Sequence, residues 1–290
     1  MKWLNTVFFS GITCLAALLI TAQQAYAEPS QISKATTKIE AKQVLRNIAY
    51  GPNSAQKMDI YIPPNVHNAN IIFMVHGGAW RYGDKAMRSI VKNKSQFWLA
   101  KNTIFISTNY RLLPEADPLT QAEDIANAIA FAQTKASEWG GNPEKMIVMG
   151  HSAGAHLVAL IASASQFQTK IKPILGTVLL DSAALDLPEL MRSSSLPLYK
   201  KAFGNDENYW QDASPYHQLN KKIAPVLIVC SSRRDISCQQ AQAFSKKLIS
   251  VGGVSEVLPV DLSHLQINER LGLPSDYTHK VDNFMTHLNE

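Results

Sequence analysis

Cysteine is scarce: there are three in 290 residues, and neither they nor the eight histidines fall into a Cys-x-x-Cys or His-x-x-x-His spacing. A zinc ribbon and a helix-borne zinc hydrolase site are thereby disfavoured, and no metal is expected. Charge is also thin, at 18% of residues against 46% apolar, which excludes a disordered tail, a collagen-like chain and a coiled coil. The basic excess is small. Lys and Arg number 28 against 23 Asp and Glu, a net +5, and the pairs Lys200-Lys201, Lys221-Lys222, Arg233-Arg234 and Lys246-Lys247 are scattered, not massed. So dispersed a charge predicts a solvated surface and no nucleic-acid partner. No apolar run reaches the roughly 20 residues of a spanning helix, and no internal repeat or low-complexity segment is present.

The first 27 residues read as an address. Lys2 is the only charge before Glu28, and it precedes an apolar stretch from Val7 to Ile20 interrupted by Ser10, Gly11 and Thr13. Ala25-Tyr26-Ala27 then offers small residues at the two positions a signal peptidase reads. Cleavage after Ala27 is expected in preference to a membrane anchor, and Gly11-Ile12-Thr13 before Cys14 lacks the pattern of a lipid-attachment site. The mature chain is then secreted or periplasmic and membrane-free, with Cys230 and Cys238 in an oxidising compartment. A disulfide between them is expected, against the alternative of two buried free thiols.

Residues 28–55 are polar and read as an arm, bounded at about residue 44, that leads into one domain over 45–290. Met58 to Ile62 alternates and stops at Pro63-Pro64, a strand with a hard end. Continuous apolar runs at 71–75, 103–107, 145–149, 174–180 and 226–229 suit parallel strands covered on both faces. Between them lie helical patterns. Thr120-Gln121-Ala122-Glu123 reads as a capping box, followed by Ile125, Ala126, Ile129 and Ala132; further helices follow Ser152, span 239–249, and close the chain with Val281, Phe284, Met285 and Leu288. The alternation predicts an α/β fold, a three-layer α/β/α sandwich on a mainly parallel sheet. Residues 187–214, with two prolines, a serine run and several aromatics, fit no crossover and read as a cap inserted over one end of the sheet.

Gly150-His151-Ser152-Ala153-Gly154 joins a strand to a helix. A turn this tight strains the serine and exposes its hydroxyl at the head of the helix, with small neighbours letting the backbones pass. His76-Gly77-Gly78-Ala79-Trp80 follows the strand at 71–75, and adjacent glycines leave backbone N–H groups unshielded for an oxyanion. Gly77, Gly78 and Ala153 are the expected donors, with Ala79 a substitute for Gly77. A serine needs a base and a carboxylate behind it. His264 follows the late strand Val257 to Val260, whereas His151 and His76 lie inside the two loops, His156 on the helix after Ser152, and His67, His217, His279 and His287 in less suitable places. For the carboxylate, Asp235 is expected, six residues after Val229 and before His264; Asp181, read as a cap for the insertion, and Asp261 are the rivals.

These segments, with Asn109-Tyr110-Arg111-Leu112 and Ala213-Ser214-Pro215, resemble the α/β-hydrolase superfamily, in its esterase and lipase branch near the feruloyl and acetyl-xylan esterases and the kynurenine formamidases. The resemblance runs in order over about residues 45–289. It implies a carboxylic-ester hydrolase of small or aryl esters, without cofactor, in which Ser152 is acylated, His264 serves as base and then acid, and Asp235 orients it. Many relatives of the hormone-sensitive lipase kind carry a third glycine where Ala79 stands and an aspartate where Asn109 stands. An arylformamidase with the same triad and a non-catalytic binding module are the alternatives. Substrate contacts are expected from Trp80 and from Leu187, Met191, Phe203 and Trp210 of the cap, giving a shallow, aromatic-rimmed pocket.

Overall fold

The computed structural model describes residues 43–194 and 196–288. The expected signal segment 1–27 and most of the arm lie outside them. Eight strands form one sheet: β1 (Gln43–Ala49), β2 (Lys57–Ile62), β3 (Ala69–Val75), β4 (Ile104–Thr108), β5 (Gly141–His151), β6 (Gly176–Leu180), β7 (Val226–Ser231) and β8 (Ser255–Val260). The order is β1-β2-β4-β3-β5-β6-β7-β8, with the β1–β2 and β2–β4 pairs antiparallel and every other pair parallel. The helices are α1 (Arg88–Leu99), α2 (Pro118–Lys135), α3 (Ala153–Ser163), α4 (Ser165–Gln168), α5 (Leu187–Ser193), α6 (Pro197–Phe203), α7 (Glu207–Asp212), α8 (Pro215–Gln218), α9 (Asp235–Ser250), α10 (His264–Arg270) and α11 (Asp276–His287). No helix among the described residues is long and apolar enough to cross a membrane.

The continuous apolar runs are strands because both faces of the sheet are covered. Successive side chains alternate sides. Ile71, Phe73 and Val75 enter a core shared with Ile125 and Ile129 of α2, Leu157 and Val158 of α3 and Phe244 of α9. Ile72 and Met74 enter a second core, with Ile90 and Trp98 of α1, Ile267 of α10 and Val281 of α11. These are the two helical layers that the sequence predicts.

Several local expectations are corrected. The polar lead-in contains β1, an edge strand whose residues are mostly exposed, so no apolar alternation marks it. Helix α2 is capped by Asp117, whose side chain accepts the Thr120 N–H at 2.8 Å, with Pro118 in the first turn; Thr120 lies inside the helix. Helix α1 has no counterpart in the sequence reading because polar Lys94 and Ser95 are buried on its inner face and break the apolar stripe. The inserted segment is three short helices, α5 to α7, each too short for an amphipathic period to register.

The register aligns the carboxyl ends of the central strands. Val75 pairs with Gly150, His151 with Leu180 and Leu180 with Val229. The residues that follow β5, β6 and β7 therefore emerge side by side on one edge, where ligands of open α/β sheets bind.

Candidate active site

Ser152 stands alone between β5 and α3, at φ 56° and ψ −119°. A residue with a side chain pays for that left-handed φ in strain, and it persists because its surroundings over-determine it. Here the Ser152 N–H donates to Leu180 O at 2.9 Å, and its carbonyl accepts the His156 N–H at 3.1 Å. The flanking glycines are steric requirements: a Cβ on Gly154 would meet His76 O at 2.4 Å, and one on Gly150 would meet Gly154 O at 2.4 Å. The loop after β3 thus packs directly on the serine turn.

In that loop Gly78, Ala79 and Trp80 all have positive φ, at 134°, 51° and 54°. The curl brings Gly77, Gly78 and Ala153 to the wall of one cavity with Ser152. The Ala153 N–H belongs to the first turn of α3, where the helix supplies no acceptor. Trp80 turns inward and is buried; its indole N–H donates to His156 Nδ1 at 3.1 Å, and the other nitrogen of His156 donates to Ala213 O at 2.8 Å. His156 is a packed residue, joining the serine helix, the glycine loop and the cap. Burial pushes its pKa down to about 4.

His264 opens α10, behind Ser263, whose side chain and Gln266 form a capping box. Its Nε2 lies 3.0 Å from Ser152 Oγ and its Nδ1 2.6 Å from Asp181 Oδ2. The His264 carbonyl accepts a bond from His151 Nε2 at 3.0 Å, and His151 is held neutral, its pKa pushed down to about 3 by burial first and by His264 second. A hydroxyl bonded to an imidazole that is itself bonded to a buried carboxylate is the arrangement that makes an alcohol nucleophilic at neutral pH.

The carboxylate that His264 contacts is Asp181, not the expected Asp235. Asp181 follows β6, directly beside the serine strand, and its side chain is fully buried. Oδ1 accepts the Ser231 N–H at 2.7 Å and the Ser237 hydroxyl; Oδ2 accepts from His264 and Arg234. Burial alone would raise its pKa, but the bonds from His264, Ser237 and Ser231 and the Arg234 charge outweigh it, and the group is held well below the usual carboxylate range. Asp235 instead occupies the first turn of α9 and is exposed; there its charge complements the helix dipole. The capping role read for Asp181 belongs to Asp186, which accepts the Glu189 N–H at the start of α5. Asp261 pairs with Arg233 at 2.6 Å on the surface.

Cys230 and Cys238 are bonded, with Cα atoms 5.1 Å apart. The loop they close carries Ser231, Arg234 and Ser237, which are three of the four donors to Asp181. The expected disulfide is present, and the loop it closes serves Asp181 rather than the exposed Asp235 that it also carries.

The cavity over Ser152 measures about 500 Å³. Of the five expected substrate contacts, Trp80 lines it, whereas Leu187, Met191, Phe203 and Trp210 do not. Leu187, Phe203 and Trp210 are buried in the core and Met191 packs on it; Phe203 meets Trp80 and His156 of α3 edge to face, and the Trp210 indole donates to Phe203 O. The cap instead contributes Leu196, Leu198 and Tyr199. Exposed Tyr82, Met87 and Leu265 complete an apolar rim. Among the described residues no group of three or more His, Cys, Asp or Glu side chains is placed to hold a metal ion. Arg111, near which the resemblance leads one to expect a carboxylate at position 109, pairs with Asp124 of α2 at 2.6 Å, and Asn109 donates to Asp84 at 2.7 Å.

The chain is 26% identical over 283 residues to isoprenylcysteine alpha-carbonyl methylesterase ICME of Arabidopsis thaliana, covering 89% of this chain and 62% of that protein. It is 24% identical over 205 residues to kynurenine formamidase of Salmo salar, covering 69% of this chain and 63% of the relative. It thus spans less than two-thirds of the length of either. A solved truncated carbohydrate esterase from gut microbiota superposes with a TM-score of 0.74 at 18% identity, over 87% of this chain and 98% of that one. Residues 58–248 match the BD-FAE family; the chain belongs to that family and has an α/β-hydrolase fold.

Proposed function

We propose that the protein is an exported serine carboxylesterase that hydrolyses small or aryl carboxylic esters through an acyl-enzyme on Ser152. The observation that carries this reading is the continuous hydrogen-bonded line from Ser152 Oγ through His264 to buried Asp181. Ser152 attacks the acyl carbon while His264 Nε2 takes its proton. The N–H groups of Gly77, Gly78 and Ala153 receive the oxyanion. His264 then protonates the departing alkoxide, and water, activated by the same nitrogen, releases the acid and restores the serine. Asp181 stays ionised and holds the imidazole with its Nδ1 proton inward. No step calls for a cofactor.

The leader-like composition of residues 1–27 supports export, and the Cys230–Cys238 bridge suits an oxidising compartment. The methylesterase and esterase names of the relatives support ester chemistry. A second reading, cleavage of an N-formyl amide by the same three residues, is favoured by the kynurenine formamidase relative. Purified mature protein assayed on nitrophenyl esters of increasing chain length, a feruloyl ester, acetylated xylan and N-formylkynurenine separates the two. Hydrolysis of short or aromatic esters is expected; turnover of the formamide alone overturns the esterase assignment.

A further inference from the structure

Lys94 of α1 is 1% exposed and pairs with no carboxylate among the described residues. Its ammonium donates to Ser89 O at 3.0 Å, to Asn268 O, and to Asn268 Oδ1 at 2.8 Å. An ammonium has three donors and no acceptor. The three acceptors that Lys94 meets are the Ser89 and Asn268 carbonyls and the Asn268 side-chain oxygen, so the amide turns its Oδ1 towards Lys94. The Nδ2 end points away from Lys94 and has no acceptor among the described residues, although Asn268 is only 4% exposed and lines the cavity over Ser152. That donor is not sealed off: it is not among the buried unpartnered polar atoms of the described residues, so it reaches the open space of the cavity, where a substrate oxygen can accept from it.

The position of Asn268 tells which part of a substrate it meets. It lies four residues after His264 on α10, so the two side chains share one face of that helix. The leaving oxygen must approach His264 Nε2 to collect its proton, and the wall beside that histidine flanks the alcohol part of the ester. Ser89, Met87 and Leu265 line the same cavity. Resting on the esterase reading above, we propose that Asn268, its amide turned by Lys94, donates a hydrogen bond to a second oxygen on the alcohol part of the substrate. The preferred substrates are then esters of alcohols that carry a hydroxyl or ether oxygen close to the ester linkage, in preference to esters of plain alkanols.

The test compares kcat/KM for three acetates, of 1-propanol, 2-methoxyethanol and glycerol, in the parent protein and in Asn268→Asp and Asn268→Leu. The Asp variant keeps an acceptor for Lys94 and removes the donor; the Leu variant removes both, and circular dichroism checks that each is folded. The parent is expected to favour the two oxygen-bearing alcohols over propanol about tenfold, the worth of one buried hydrogen bond. Both variants are expected to bring that ratio down to about one. A parent without the preference, or variants that keep it, overturns the inference and leaves the esterase reading standing. A parent that hydrolyses none of the acetates overturns both.

Discussion

Asp181 occupies a position few side chains tolerate, with φ at 55° directly after β6. That strain, like the strain at Ser152, is stored where two strand ends must aim side chains at one point. Asp181→Asn is expected to lower kcat/KM by about a thousandfold to ten-thousandfold, since the amide can hold the imidazole in the wrong tautomer. Asp235→Asn should stay within about threefold of the parent, as surface changes usually do. Steady-state kinetics on one short ester checks both; equal losses would return Asp235 to the site. The strained turn at Ser152, the glycine loop that faces it and His264 beside it were legible from local pattern, because a tight turn and a glycine pair leave a signature in adjacent residues. The acid was not. Its assignment depends on which strand end lies beside β5, and chain order alone does not give that neighbour. The buried histidines carry a pH consequence. An unfolded histidine takes a proton near 6.5, whereas burial pushes His156 to about 4 and His151 to about 3. Over that window the unfolded chain binds more protons, so stability falls as pH falls through 6.5 towards those lower values. His156 contributes roughly 3 kcal/mol of that loss. Denaturant titrations at about pH 7 and about pH 4.5 should differ less in His156→Gln than in the parent by most of that amount; an unchanged difference contradicts the account.

The loop between β7 and α9 is the element on which the acid depends. Its disulfide closes a short ring, which stabilises by about 2.5 kcal/mol in the chain-entropy picture. The same ring fixes Ser231, Arg234 and Ser237 around Asp181. Replacing Cys230 and Cys238 together by Ala is therefore expected to do two things: lower the unfolding free energy by about that much, and lower kcat more than tenfold under conditions where circular dichroism shows the variant folded. Urea titration and turnover at one temperature read the two effects separately. Full turnover in a destabilised variant would mean that the ring serves stability alone. Elements with a strong period were readable: β3, β4, β5 and α3 follow from their apolar runs. Those whose signal is diluted were not, as the exposed edge strand β1 and the Lys94-bearing helix α1 illustrate. The cap shows a third kind of failure, since Leu187, Phe203 and Trp210 were rightly seen as apolar but belong to the core rather than to the pocket.

At the scale of the whole sheet, the site is a consequence of topology. Parallel strands β3, β5, β6, β7 and β8 all point their carboxyl ends to one edge, so residues from 76 to 264 meet there although no two of the three central side chains are close in sequence. Cores on both faces hold the strand ends still, and preorganised donors need that rigidity if they are to act on a developing charge. In the proposed reaction Ser152 Oγ is the atom that takes the acyl group. Incubation of the purified protein with a fluorophosphonate, followed by intact mass and peptide mapping, tests this directly. One adduct per chain, on Ser152, with turnover lost in step and no adduct in Ser152→Ala, is the expected result; an adduct on another residue, or a Ser152→Ala protein that still turns over ester, would contradict it.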